Sequence, residues 1–392
     1  MTLPASLLDP SDLAAQLAAT RRDLDALAAR LRADEWMGPY APTLNPPLWE
    51  YGHIVWFQEH WCLRLKAGVD WRASPLLAPL REARMRWADW LYDSSRIPHP
   101  ARWRAPLPPI EETRAYGAEV LAAVTEKLGG APSPDDRYYA ELALHHERMH
   151  IEAWWMMWQQ RALVPPSIPE LPALGDGGLL AFDAGLVTLG SPRNAGFVFD
   201  NEKWAHAVPH GAFDIDRRPV TNRELAEFVD AGGYGRAELW SPAGREWLAA
   251  TGAKHPVYWR RDRRGWQLRR FDRWLAPERE PVIHVSRHEA EAFAAWRGRR
   301  LPTAAEWMRA CGDASFALGR CWEWTATEFG PYPEFTADPY ADYSMPWFKG
   351  HAELRGAGSW VTAPALARPT YRNFYTPDRR DPFVGFRTAQ SR

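Results

Sequence analysis

Residues 133–160 read SPDDRYYAELALHHERMHIEAWWMMWQQ, and this stretch predicts a long helix. The Ser-Pro-Asp at its start is typical of a helix N-terminus, where a serine caps the first turn and proline is tolerated. Apolar and aromatic side chains then recur at helical spacing as far as Met157. The same stretch contains His146 and His150, which lie one turn apart on one helical face.

Four further segments of the N-terminal half also predict helices. Leucines recur at helical spacing between residues 13 and 31, and Asn45-Pro46-Pro47 is a start signal for a second helix. A third helix is predicted over residues 81–92, and a fourth from near Pro109 to the glycine pair at 129–130. Four long helices and a short one favour an up-and-down bundle over residues 1–165.

The character of the sequence changes after a proline-rich stretch, VPPSIPELPALG, at residues 164–175. We predict a linker over residues 166–184 and a second domain over residues 185–392. Short β-like runs in that domain alternate with glycine, proline and asparagine turns. Two segments look helical, at residues 221–231 and 286–297. The predicted fold class is therefore α+β.

The composition of the 392 residues excludes several classes of protein. The formal net charge of −1, from 48 basic and 49 acidic residues, argues against a nucleic-acid partner. No run of 18 apolar residues predicts a membrane span, and the first residues lack the pattern of a signal peptide. Three cysteines are too few for a disulfide framework. We expect a cytoplasmic protein with neither nucleic acid nor a membrane as partner.

The histidines of the long helix are candidate metal ligands. His146 and His150 share a face with Tyr139 and Met157 and should point into the bundle. Two inward imidazoles are costly to bury unless a metal, a partner side chain or water satisfies them. His145 is rotated by about 100° from that face. Spacing alone leaves two interpretations open, a metal site or a pair of core histidines bonded to their neighbours.

A third ligand would have to come from another helix. His53 is the best candidate, because it follows Gly52 on the apolar side of the second helix with Trp49. His60, seven residues further on, is the competitor. Three neutral imidazoles with open coordination positions suit Fe(II), Zn(II) or Cu(II), and ligand type alone does not choose among them.

The C-terminal half contains a set of short motifs that are rich in aromatic residues. They are FDID and PVTN within 213–222, PVIHVS at 281–286, WRGRRLPT and AEW within 296–307, CWEWT at 321–325, and YRNF and VGFR within 371–387. Together they resemble the formylglycine-generating-enzyme/sulfatase-modifying-factor (FGE-sulfatase) fold, a C-type-lectin-like domain. The resemblance covers most of residues 185–390.

Two motifs of the N-terminal half, WEYGH at 49–53 and HERMHIE at 146–152, carry a second resemblance. They resemble the DinB-like four-helix bundle of the ergothioneine- and ovothiol-type sulfoxide synthases. That fusion is characteristic of non-haem iron enzymes that attach sulfur or selenium to an imidazole carbon. It implies that His53, His146 and His150 are Fe(II) ligands in the bundle. Glu152 would orient a ligand histidine, with a solvated helix charge as the alternative.

The resemblance implies that the C-terminal domain binds the substrates. Asn373 would face hercynine, the betaine substrate. A trimethylammonium group is best held by aromatic faces, and Phe374, Trp324 and Trp360 are candidates, with core packing as the alternative. A tyrosine near the iron donates a proton or hydrogen atom in this family. Those open to that role here are Tyr92, Tyr332, Tyr340, Tyr343 and Tyr375. Of these the Tyr340–Tyr343 pair is our prediction, with packing as its alternative.

Departures from the family pattern bear on the second substrate. Met149 stands where ergothioneine-type synthases usually have glutamine, and Tyr375 where synthases using γ-glutamylcysteine have an acid. Arg379 and Arg380 keep the expected basic pair. Loss of the acid argues against a peptide thiol with a free ammonium group and fits a sugar donor. The segment at 91–108 also looks like the selenoneine synthase branch.

The sequence therefore predicts an oxygen-dependent selenoneine synthase that joins the imidazole carbon of hercynine to a selenosugar. One alternative is the hercynine sulfoxide synthase of ergothioneine biosynthesis, which forms a carbon–sulfur bond with cysteine or γ-glutamylcysteine. A second alternative is a ligand-binding module without enzymatic activity. A formylglycine-generating oxidase is rejected, because residues 371–387 lack the cysteine pair that its copper requires.

Overall fold

The computed structural model describes residues 8–65, 81–166, 171 and 173–392. They fall into two compact units. The first runs to Met157 and includes Asn194–Phe197, and the second comprises Trp158–Arg193 and Val198–Arg392. The domain boundaries at residues 165 and 185 stay predictions. Across the described part of the chain, no helix has both the length and the apolar character that a membrane crossing requires.

The first unit contains four long helices and one short one. They are α1 (Pro10–Ala28), α2 (Pro47–Glu59), α3 (Ala88–Tyr92), α4 (Ile110–Gly129) and α5 (Pro134–Gln160). A π-helical turn, His60–Arg64, continues α2, and a 3-10 turn, His99–Trp103, follows α3.

A buried arginine links all four long helices. Arg21 of α1 donates through Nε to Glu147 of α5 at 2.7 Å and through Nη2 to Gln58 of α2 at 3.1 Å. Its Nη1 donates to the carbonyl of Gly117 in α4 at 3.3 Å. A buried guanidinium is stable only where its donors are paired, so these bonds fix the register of the helices.

The prediction of a helix over residues 81–92 is wrong for its first seven residues. Only Ala88–Tyr92 is helical, and Trp87, at φ 66°, has the left-handed conformation that ends regular helix. Two preceding amides donate to residues far back in the sequence and not to a helical turn of their own. Arg81 N–H donates to the carbonyl of Arg64, and Arg84 N–H to the carboxylate of Glu59. The second helix also starts later than its signal suggested, with Pro46 rather than Asn45 at the cap.

The second unit is built on short strands. They are β1 (Leu179–Phe182), β2 (Gly185–Leu189), β3 (His206–His210), β4 (Phe213–Asp216), β5 (Trp259–Asp262), β6 (Gly265–Arg270), β7 (Arg273–Leu275), β8 (Trp322–Glu328), β9 (Ala352–Arg355), β10 (Asn373–Tyr375), β11 (Val384–Gly385) and β12 (Ala389–Ser391). The sheets have the strand orders β1-β4-β12, β10-β9-β8-β11, β2-β3 and β5-β6-β7. β1 lies inside the predicted linker and pairs antiparallel with β4, so regular structure begins before residue 185.

Short helices complete the second unit. They are α6 (Asn222–Asp230), α7 (Pro242–Thr251), α8 (Arg287–Trp296) and α9 (Ala304–Cys311). The helices predicted at 221–231 and 286–297 are confirmed as α6 and α8, whereas α7 and α9 were not predicted. A helical first unit followed by a unit of mixed strands and helices confirms the α+β class.

Candidate metal centre

The structure brings three histidines together inside the helical unit. The potential ligand atoms of His53 on α2 and of His146 and His150 on α5 all lie within 4.8 Å of one another. In the part of the chain that the structure describes, no other group of three histidine, cysteine or acidic side chains has this spacing. His60 is not part of the group. Of the two histidines weighed as the third ligand, the structure therefore places His53 beside the α5 pair.

His53 is held by a backbone carbonyl. Its Nδ1 lies 2.8 Å from the carbonyl oxygen of Tyr92, which can only accept, so Nδ1 carries the proton and Nε2 keeps its lone pair. Gly52 makes this contact possible, because a Cβ atom there would lie 2.2 Å from Cε1 of Tyr92. The Gly-His dipeptide of the WEYGH motif thus sets the tautomer of one candidate ligand.

His150 is held by a carboxylate that sequence reasoning missed. Its Nδ1 lies 2.6 Å from Oε1 of Glu50, a side chain only 3% exposed. Glu50 stands one helical turn before His53, a spacing that could have marked it as a neighbour of the same site. Glu152, the predicted orienter, is buried on α5, and its role stays a prediction.

The environment of the site favours the neutral form of His53 and His146. Burial, with the electrostatic effect of the neighbouring His150 and Arg102, holds the pKa of His53 well below its usual value. Burial, with His150 and His53, does the same to the pKa of His146. The ring of His146 also stacks on Phe57, with centroids 3.6 Å apart. Neutral imidazole is the form that coordinates metals.

An aromatic column covers His53. The ring of His53 stacks on the indole of Trp49, with 4.9 Å between the ring centroids. The guanidinium of Arg102 lies over the same indole, 4.0 Å from its centroid. The Trp49 indole is fixed in turn, since its Nε1–H donates to the carbonyl of Leu91 at 2.7 Å. Burial lowers the pKa of Arg102 to about 10.

Three predicted substrate residues lie together on β10 of the second unit. Asn373, Phe374 and Tyr375 pair with β9 and are all half-buried. The Asn373 Oδ1 accepts a hydrogen bond from Phe374 N–H, and the ring of Phe374 stacks on Phe329 at 4.2 Å. Their part in substrate binding stays a prediction.

The predicted basic pair is engaged within the protein. Arg379 forms a two-bond ion pair with Asp381, each bond 2.5 Å long. Arg380 pairs with Glu289 at 2.8 and 3.1 Å. Neither guanidinium is therefore an unpaired cation in this structure. Their role in substrate binding stays a prediction.

The predicted aromatic and catalytic residues divide between core and half-buried positions. Trp324 has no exposed surface and donates to the carbonyl of Val285, and its role in substrate binding stays a prediction. Trp360 is also buried. Tyr340 and Tyr343 are half-buried, and the hydroxyls of Tyr343 and Tyr371 lie 3.0 Å apart.

Both halves of the chain match known domain families. Residues 16–154 match the DinB superfamily, and residues 176–320 and 317–392 match the sulfatase-modifying factor enzyme 1-like domain. These matches confirm the two predicted domain types.

Relatives extend over nearly the whole chain. A hercynine oxygenase of Mycolicibacterium smegmatis is 33% identical over 412 positions, covering 89% of this chain and 92% of the relative. A hercynine oxygenase of Mycobacterium tuberculosis is 31% identical, with the same coverage of both chains. A formylglycine-generating enzyme of Thermomonospora curvata is 33% identical over only 34% of this chain and 48% of the relative.

Proposed function

This chain belongs to the family of the hercynine oxygenases and is an enzyme, and from this premise we propose that it oxidatively couples hercynine to a chalcogen donor at a non-haem Fe(II) centre. The observation that carries the proposal is the group of His53, His146 and His150. His53 and His146 are buried and His150 is half-buried, and the mutual approach of the three rings fits a divalent metal that keeps open coordination positions.

The donor set fits this role because the two oriented imidazoles use Nδ1 within the protein. The carbonyl of Tyr92 accepts a hydrogen bond from His53 Nδ1–H, and Glu50 lies at His150 Nδ1, so Nε2 of each ring is left for a metal. Bound Fe(II) supplies the reactivity toward O2 that a four-electron coupling needs. Trp49 and Phe57 cover the rings of His53 and His146 and exclude water from that side.

In the proposal the second unit binds the organic substrates. Asn373 contacts hercynine, and Phe374 offers an aromatic face to its trimethylammonium group. The location is cytoplasmic, in keeping with three cysteines that form no disulfide.

The donor we propose is a selenosugar. Tyr375 occupies the position at which an acid would bind a peptide ammonium, and its ring lies 5.0 Å from the guanidinium carbon of Arg379. A phenol neutral at physiological pH offers no charge to an ammonium group. Similarity to the hercynine oxygenases favours the alternative, a sulfoxide synthase that uses cysteine or γ-glutamylcysteine.

The mass of the reaction product tests the proposal. The protein is first loaded with Fe(II) without oxygen, and O2 and hercynine are then added. Selenosugar, γ-glutamylcysteine and cysteine are offered in turn. We expect a selenium-containing product with the selenosugar alone. A sulfoxide formed with either thiol, and none with the selenosugar, would identify the alternative. Absence of iron retention and of oxygen uptake with every donor would leave a binding module.

A matched pair of variants tests the role of Tyr375. Tyr375→Asp restores an acid at that position, and we expect turnover of γ-glutamylcysteine to rise relative to the selenosugar. Tyr375→Phe keeps the ring without the hydroxyl, and its donor preference should match that of the unmodified enzyme. Equal preferences in both variants would contradict the role given to this position.

A further inference from the structure

We propose that Glu50 is a positioning residue that acts on the metal through His150, fixing the orientation of that imidazole and placing a negative charge behind it. The inference rests on the proposed metal site. It concerns how the protein holds that site rather than which substrates the enzyme joins.

The contact joins the two helices that provide the histidines. Glu50 lies in the first turn of α2, and His150 lies on α5, 100 residues further along the chain. The 2.6 Å separation between Oε1 and Nδ1 is that of a strong, charge-assisted hydrogen bond. The Glu50 side chain is almost fully buried, so little water competes for the bond.

Burying a carboxylate costs free energy unless an interaction with a well-placed partner offsets that cost. Here it does two things for His150. It accepts from Nδ1–H, so the lone pair stays on Nε2, and it prevents the ring from turning about its bond to Cβ. Loss of such a hydrogen-bond partner of a metal-ligating histidine typically lowers metal affinity by about 10–100-fold.

The two oriented imidazoles differ in the charge of their partners. His53 donates to the neutral carbonyl of Tyr92, whereas His150 faces a carboxylate. The guanidinium of Arg102 also faces Glu50, and the two charges attract each other. A divalent metal bound by three neutral imidazoles adds two positive charges, and Glu50 offsets one of them.

Two substitutions separate orientation from charge. Glu50→Gln keeps an oxygen that accepts from Nδ1–H but removes the charge, while Glu50→Ala removes both. The probe is Co(II), titrated into metal-free full-length protein and followed by its visible absorption, with Fe(II) titrated anaerobically in parallel. We expect the dissociation constant to rise about 10-fold in Glu50→Gln and about 100-fold in Glu50→Ala. The Co(II) band of Glu50→Ala should also broaden, because the ring is no longer fixed.

Glu59→Gln is the matched control. Glu59 lies on the same helix and is equally buried, but it accepts from the hydroxyl of Tyr116 at 2.5 Å and from Arg84 N–H at 2.8 Å. Its loss should lower the thermal midpoint and leave metal affinity within twofold. If Glu50 only ties α2 to α5, its variants will behave as Glu59→Gln does, with a lower midpoint and unchanged affinity, and the inference is overturned.

Metal binding by the unmodified protein distinguishes failure of the proposed function from failure of the role of Glu50. If it binds neither Co(II) nor Fe(II), the proposed function fails. If it binds both and the Glu50 variants bind within twofold of it, only the role of Glu50 fails.

Discussion

The metal centre of the helical unit and the core of the second unit use ionisable side chains in opposite ways. In the helical unit, His53 and His150 are oriented through one ring nitrogen, which leaves the other for a ligand. In the second unit the buried charges satisfy one another, as Arg387 does with Glu323 at 2.6 and 2.8 Å. A buried polar group marks a functional site when the protein orients it without consuming its bonding capacity.

The largest effect that we expect from this difference is the loss of iron retention when one histidine of the group is removed. His150→Ala leaves two imidazoles and an unpaired Glu50 carboxylate, so we expect the variant to retain no iron after anaerobic loading and desalting. Metal content by mass spectrometry measures the result, and far-UV circular dichroism reports whether the bundle stays folded. Iron retention equal to that of the unmodified protein would remove His150 from the ligand set.

His60→Ala is the control for this loss. His60 lies beyond α2 in the π-helical turn, and burial, with the charge of Arg64, lowers its pKa to about 4. It is therefore another neutral imidazole of the same unit, half-buried, that does not join the three-histidine group. We expect iron retention to be unchanged. A loss of iron here would mean that burial of histidine, rather than its grouping, determines the result.

The candidate site could be predicted from sequence only in part. Spacing on α5 identifies His146 and His150, because a helix places residues four apart on one face. The choice of His53 over His60 and the partner at Nδ1 of His150 depend on how α2 packs against α5. Glu50 was missed because its spacing from His53 marks it only as a neighbour of the site, and no local pattern shows which side chain of another helix its carboxylate meets.

The next effect concerns the free energy of unfolding of each unit. Arg387→Met leaves the Glu323 carboxylate fully buried without its partner, and breaking such a pair costs about 3–5 kcal/mol. Arg387 also donates to the carbonyls of Asp216, Arg217 and Ala317, which lose a donor. Hydrogen exchange resolved by peptide measures the opening free energy of that unit.

Two further substitutions place this value on a scale. Arg21→Met breaks the buried pair with Glu147 in the helical unit, and we expect the lower end of the same range there. Arg223→Met removes an exposed pair with Glu278 and should cost no more than about 1 kcal/mol. If Arg387→Met costs as little as Arg223→Met, the buried pairs do not stabilise the second unit in the way described.

Helix starts also differ between the units, except at α5, where Ser133 Oγ accepts from Asp136 N–H at 3.2 Å. In the helical unit α1, α2 and α4 start without a side-chain cap bond. In the second unit α6 to α9 each start at a serine or threonine whose hydroxyl accepts from a backbone N–H, namely Thr221, Ser241, Ser286 and Thr303. Helices of 8 to 10 residues are marginal by themselves and depend more on their ends.

These caps also explain which helices sequence reasoning found. Apolar spacing predicts α6 and α8, and their capping boxes agree with it. α9 was missed although Thr303 and Glu306 form a capping box, because eight residues give too few turns for a periodic pattern. Ser241-Pro242 is the start signal that could have located α7.

The smallest expected effect is the loss of one such cap. Thr303 Oγ1 accepts from Glu306 N–H at 3.1 Å, and Thr303→Ala should lower the opening free energy of α9 by about 1 kcal/mol. Hydrogen exchange in residues 304–311 measures this change. Thr303→Ser keeps the hydroxyl and should exchange as the unmodified protein does. Equal exchange in both variants would show that burial of Trp307 alone stabilises α9, as packing stabilises the uncapped helices of the first unit. The difference between the helix ends would then make no contribution to the opening free energy.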